Sequence, residues 1–529
     1  MLKRISFNTA SFIFSLIAYN YFFWKENLGL NLFLFALIII ISLFIGKRDA
    51  FKSKNVQITL VGTVLTAIMV VAQNSALAKT AHVISILLFA TFIHESQMRS
   101  VVFALLHMLS GLFRIPKRYV EHIDVRIRNI PRLFLFFRIA RISIIPLSIA
   151  FVFYILYSLA NPIFVDYSAN LWHSLIDVFE FIFRQISPGR ILFVLLGALV
   201  LSVIYFRNEA QLFLRKDLSF AEKLERIRKP KEKRDVLWSS ITRQPIYPPS
   251  EAPFKSIALK NQNRRGIVLL LFVNFLLLLE NLIDIKWLWF GFKLPEGFSL
   301  QHYVREGTGF LIISILLSMG LLLFYFRRNL NFYSKNNFLK ILAYAWIGQN
   351  VILCISIFLR NYHYIDFHGL AYKRIGVDVF LLLTVIGLLT LYNKIRNVKS
   401  AYYLVRLNTW ALYFIIVIIS CINWDEKIAS YNLAHWNKSE IDVDFYLKLS
   451  DKTLPIVYQN LDKVREQIEA HSRNKVKWIQ HLNYQAFLED LDSKRENFFS
   501  DYQKHSWLSF TIPDRRAYQA LHGELYTLR

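Results

Sequence analysis

Two cysteines in 529 residues, neither with a second cysteine or a histidine at metal-binding spacing, leave no disulfide framework and no zinc site to read. Cys354 and Cys421 both fall in apolar segments, where a thiol packs as a small hydrophobe. No HExxH, no phosphate-cradling glycine loop and no GxSxG occurs, so none of those catalytic patterns is present. These residues call for no metal and no cofactor. Acidic residues are also scarce: 37 Asp+Glu stand against 63 Lys+Arg, a formal charge of +26. A basic balance of this size suits nucleic acid when it forms one patch or stripe. Here the cations sit in short connections beside apolar runs, which suits anionic lipid headgroups, and no nucleic acid is expected.

Apolar residues are abundant. The chain is 55% hydrophobic and 16% aromatic, against the about 45–50% apolar of a soluble domain. The excess is blocked into runs at about 8–24, 28–46, 56–73, 139–159, 190–206, 267–285, 308–326, 338–359, 376–393 and 408–424, with a shorter one near 81–94. Crossing a bilayer takes about 20 such residues. Lys3 and Arg4 precede the first run, and Tyr19, Tyr21, Phe22 and Phe23 crowd its end, so it reads as an uncleaved span rather than a signal peptide. The basic connections are Lys47–Lys54, Arg114–Arg141, Arg207–Arg265, Arg327–Lys335 and Lys394–Arg406. They all face one side only if Ser100–Phe113 is interfacial or re-entrant. The positive-inside rule favours that arrangement and gives about 11 spans, or 12 if Ser100–Phe113 crosses. The expected fold is all-α, a polytopic transmembrane helical bundle with a C-terminal helical soluble domain. The expected location is the bacterial inner membrane, with a cytoplasmic N-terminus and an extracytoplasmic tail.

The chain divides into a transmembrane region at 1–206, a basic cytoplasmic loop at 207–266, a second transmembrane region at 267–424 and a helical domain at 425–529. The basic loop opens with Glu209–Arg228, which can form an amphipathic helix at a lipid surface. Prolines from Pro230 to Pro253 break regular structure in the rest of the loop. The aromatic, weakly acidic stretch Asn161–Gly189 suits the outer headgroup level. From Asp425 on, 15 Lys+Arg meet 16 Asp+Glu, so all the net positive charge lies before it. In this tail Leu454, Tyr458, Leu461, Val464 and Ile468 keep helical spacing, Trp478–Leu491 continues a second helix, and Asp514–Leu528 forms a third with Asp514 as its N-cap.

Five motifs stand out in order. They are Glu26–Asn31 (ENLGLN), Tyr303–Gly307 (YVREG), His368–Arg374 (HGLAYKR), Asn423-Trp424-Asp425 with Tyr431-Asn432 and Asp444–Asp451, and Trp507–Arg516 (WLSFTIPDRR). Together they resemble an uncharacterised family of bacterial integral membrane proteins, the domain of unknown function numbered four-one-seven-three. That family carries His where this chain has Arg305, and Thr where it has Ala371, which argues against a fixed catalytic role at either position. The resemblance implies a bacterial membrane location and no reaction.

Polar residues gather at the outer ends of the spans. Glu280 and Asp284, four apart, share a helix face. His302, Arg305 and Glu306 precede the next span. Arg360, Asp366, His368 and Arg374 flank the following outer connection, and Asp425 ends the last span. A charge deep in a bilayer costs about 2.5–3.5 kcal/mol on insertion scales, so Glu280 calls for a partner such as Arg305 or Arg360. Ion pairs tying helix ends together and an outward-facing cleft for a ligand or ion are both compatible with this cluster. The chain therefore supports three functional readings: a scaffold, sensor or regulatory partner presenting the tail to a protein partner; a transporter or channel using the polar cluster; and a membrane-embedded envelope or lipid enzyme. The third lacks paired acids, since the first outer connection offers only Lys25-Glu26-Asn27.

Overall fold

A computed structural model describes residues 7–127, 187–208, 211–226, 252–290, 300–327, 329–436, 441–473 and 483–524, with short pieces within 146–157 and 237–246. The bundle runs α1 (Phe7–Phe23), α2 (Leu30–Gly46), α3 (Lys54–Gln73), α4 (Ala76–His94), α5 (Val101–Ile127), α6 (Pro188–Tyr205), α7 (Leu212–Ser219), α8 (Ala252–Asp284), α9 (Leu300–Tyr325), α10 (Asn337–His368), α11 (Tyr372–Arg396) and α12 (Ala401–Ser420). The tail adds α13 (Trp424–Ala434), α14 (Asp444–Lys448), α15 (Leu454–Tyr458), α16 (Leu461–Arg473), α17 (Tyr484–Lys504) and α18 (Ile512–Glu524). A two-residue antiparallel ribbon, Leu237–Trp238 on Pro245–Ile246, lies in the basic loop. Among the described residues, eight helices are long and apolar enough to cross a membrane; α1 and α2, at 17 residues each, fall just short of that length. The chain is an all-α, multi-pass helical bundle. The expected span at 139–159 and the loop Asn161–Gly189 lie mostly outside the described residues.

Two hydrophobic cores build the bundle. One joins α2, α3, α4, α5 and α6 around Phe89, Phe92, Leu201 and Tyr205. The other joins α8 to α11 around Leu270, Leu322, Phe326 and Leu353. Helix α12 belongs to both, through Tyr413 and Val417 on one side and Tyr403 and Leu404 on the other. Its approach to α3 depends on Gly62, where a Cβ would collide with the Tyr413 hydroxyl. Along α3 the buried Thr59, Thr63 and Thr66 donate to carbonyls one turn back, at 2.7–2.8 Å, so their hydroxyls are satisfied without water. A third core, built from Ile428, Tyr446, Val457, Phe487 and Leu521, belongs to the tail.

The connections fall at two ends. At one, Arg207 makes a two-pronged bond to Glu95 at 2.6 and 2.9 Å, and Lys47 meets His94. There too Asp217 accepts from the Arg99 amide and the Tyr402 hydroxyl, Arg406 pairs with Glu222 at 2.8 Å, and Lys394 donates to the Phe326 carbonyl. The described parts of the basic connections therefore share this end. Helix α5 stays with them: Phe103 packs on Phe220 and Tyr402, and seven residues further on Ser110 and the His107 carbonyl bind Asn208, just past the end of α6. Ser100–Phe113 thus packs at the end of the bundle that holds the basic connections.

Three local expectations change. The amphipathic segment of the basic loop is helical only over Leu212–Ser219; beyond it the chain extends, and Lys223 bridges to Lys399. The first tail helix breaks after Tyr458 into α15 and α16, because Gln459 and Asn460 turn there. The last helix starts at Ile512, where the Thr511 hydroxyl accepts from the Asp514 amide at 3.3 Å, so Thr511 and not Asp514 takes the capping role. Trp478 and Leu482 lie outside the described residues.

Candidate functional site

The end opposite the basic connections holds the sequence-derived polar residues, and it sorts the described ones into three groups. In the first, Arg360 of α10 bonds to Asp284 of α8 and stands 3.6 Å from Glu280, one turn back on the same face. The Arg360 and Asp284 side chains are only 6% and 2% exposed, so each is costly to leave without the other. Helix α9 passes close by, with a Cβ on Gly307 falling 3.5 Å from the Arg360 guanidinium. The side chains of His302, Arg305 and Glu306 lie outside the described residues. In the second group, Arg374 donates to the His368 and Gly369 carbonyls and lies 4.6 Å over the Tyr364 ring, closing the C-terminus of α10. His368 packs edge-on against Tyr364 and Phe367, while Asp366 is exposed.

The third group reaches the tail. Asp425 accepts from the Tyr372 hydroxyl and pairs with Lys452 at 2.7 Å. The Lys452 side chain is fully buried and also donates to the Gln73 carbonyl at 2.8 Å, joining tail, α3 and the start of α13. Sequence reading missed Lys452; its place directly after the Leu449-Ser450-Asp451 motif was the available signal. Around it the tail lies on three of the connections at this end, those after α1, α3 and α10. Asn27 donates to the Ser509 hydroxyl from its amide and to Asp501 from its side chain, at 2.8 and 3.0 Å. Leu30 donates to the Phe510 carbonyl, and Glu26 accepts from Ser506 and Ser509. Asn74, left-handed at the end of α3, donates to Asp514 at 2.6 Å. Asn432 exchanges bonds with both backbone groups of Leu370. Four of the five sequence motifs therefore meet in pairs: ENLGLN with WLSFTIPDRR, and HGLAYKR with the Asn423–Asn432 element.

A polar cavity of about 320 Å³ remains at this junction, lined by Asn74, Lys79, Asp451, Tyr502, His505 and Asp514 among others. Burial would raise the Glu26 carboxyl, but the bonds from Ser509 and Ser506 outweigh it and hold it below its ordinary value. Asp451 and Lys494, 3.5 Å apart, respond the other way: burial pushes the carboxyl up and the ammonium down, and each partner offsets only part of that. Among the described residues no cluster of three His, Cys, Asp or Glu could hold a metal ion. The geometry is that of a docking joint with a polar hollow, held by hydrogen bonds and one buried ion pair.

The family model described as domain of unknown function (DUF4153) matches residues 11–460. The match supports the resemblance to a family of unknown function and corrects its number, four-one-five-three in place of four-one-seven-three. WLSFTIPDRR lies beyond the matched residues. No curated protein and no solved structure matches the chain.

Proposed function

The chain belongs to the DUF4153 family, and on that footing we propose that it is a scaffold of the bacterial inner membrane, presenting its helical tail to a protein partner on the extracytoplasmic side. The observation that carries this reading is the docking of the tail on the bundle through Lys452, Asn27, Asn74 and Asn432. A domain needed only as a tethered module would be served by a flexible linker; this one is fixed in orientation by bonds to three separate connections. The sidedness rests on the basic connections gathering at the opposite end, which the positive-inside rule assigns to the cytoplasm. A transporter would gain from the outer polar residues lining one passage, whereas the described ones divide into three groups.

Co-purification tests the proposal. Full-length chain and a form lacking residues 425–529 are captured from native membranes at matched abundance. The expected result is a partner retained by the first and lost by the second. Charge reversal at the exposed Arg465 and Glu469, which leaves the docking joint intact, separates loss of a partner surface from loss of fold. A tail deletion that preserves both the partner set and the cellular phenotype would overturn it.

A further inference from the structure

Between α8, α9 and α10 lies a cavity of about 370 Å³ inside the membrane-spanning part of the bundle, remote from the tail joint. Its wall is mostly aliphatic: Val273, Leu276, Leu277, Leu311, Leu317 and Leu321 face it. Three polar groups interrupt that wall. Glu280 stands at the end nearer the tail, its side chain 39% exposed, and Ser314 and Ser318 line α9 below it. Ser318 is only 6% exposed, and among the described residues its hydroxyl bonds to nothing in the protein. Buried hydroxyls on spanning helices elsewhere in this chain, such as Ser85 and Thr63, bond back to a carbonyl one turn away. Arg360 bonds closely to the buried Asp284, while Glu280 stands 3.6 Å from it and still lines the cavity.

An apolar slot that ends in a carboxylate within the bilayer is matched by one kind of molecule, an apolar body carrying a single positive nitrogen. The body replaces lipid against the leucines. The ammonium meets Glu280, in surroundings where an ion pair is screened far less than in water. The serine hydroxyls supply acceptors for the remaining N–H groups. Volumes of about 300–1,000 Å³ are usual for small-molecule sites, and helix bundles are among their usual places. We propose that this cavity is a binding site for free lipophilic amines, with Glu280 as the charge-recognising residue and Ser318 as a hydrogen-bonding one.

The test is equilibrium binding of a radiolabelled phenylalkylamine to the purified full-length chain in detergent, beside the alcohol that replaces its amine. The expected result is amine binding about tenfold tighter than alcohol binding, a difference of about 1.4 kcal/mol. Glu280→Gln should remove that preference and leave alcohol binding unchanged. Ser318→Leu, which fills the slot, should reduce binding of both. Thermal midpoints of both variants are measured alongside, so that a folding loss is seen as such. Equal binding of amine and alcohol by the wild-type chain would overturn the assignment, leaving an apolar slot for acyl chains. Competition by phosphatidylethanolamine, but not phosphatidylglycerol, in reconstituted vesicles would also overturn it, making a lipid headgroup the amine.

Discussion

A Cβ on Gly29 would stand 2.6 Å from the carbonyl oxygens of Ser509 and Phe510, backbone atoms that cannot swing away as a side chain can. Gly29→Ala must therefore push the tail off the first connection and lengthen the Leu30–Phe510 hydrogen bond, now 3.0 Å. Overpacking of this kind costs about 1–3 kcal/mol. The expected outcome is a lowered thermal midpoint of the full chain in detergent, with faster proteolytic release of the tail. Gly348→Ala, where nothing lies within 4 Å, should change neither. Residue chemistry was partly legible in the sequence. The spacing of Glu280 and Asp284 put both on one face, and Arg360 was one of two named partners. Gly29 read only as part of a motif, because what it touches lies some 480 positions away.

At the scale of elements, hydrophobic runs were enough to find the helices long and apolar enough to cross, since a membrane leaves few alternatives to a long apolar helix. Their ends were less legible. Helix α8 begins at Ala252, well before the apolar run, and α10 continues to His368. Charged or polar turns extend a helix past the bilayer at no hydrophobic gain, so composition does not mark them. Helix α5 is the sharper case. Its apolar stretch is short for a crossing and holds His107, Ser110 and Gly111, and charge parity argued against one as well. Its contacts favour the same reading: Leu106, Leu109 and Phe113 form an exposed stripe while the His107 carbonyl and Ser110 bind Asn208. An exposed apolar stripe of this kind suits a helix in the headgroup plane. Spin labels at Leu106 and Phe113 in vesicles should therefore report the same depth within a few ångströms. A crossing helix would separate them by about 10 Å at 1.5 Å per residue. Depths differing by that amount would return α5 to the count of spans.

For the whole molecule, two facts unrelated in sequence coincide. The described basic connections share one end of the bundle, and the near-neutral tail is docked at the other. Charge distribution suggested that arrangement; the docking itself was illegible, because pairs such as Asn27 with Ser509 depend on the packing of every span between them. The coincidence makes topology testable through a single bond. Cysteines at Asn27 and Ser509, whose amide nitrogen and hydroxyl oxygen are 2.8 Å apart, should form a disulfide in intact cells, within the oxidising space outside the cytoplasm. A cysteine introduced at Lys52, exposed at the opposite end, should be labelled by an impermeant thiol reagent only after the cells are opened. The native Cys354 and Cys421 are replaced by serine for the measurement. Labelling of position 52 from outside, with no cross-link between 27 and 509 until lysis, would invert the assignment and place the tail in the cytoplasm. The docking would stand, since it depends on contacts rather than sidedness, but any partner of the tail would then have to be sought inside the cell.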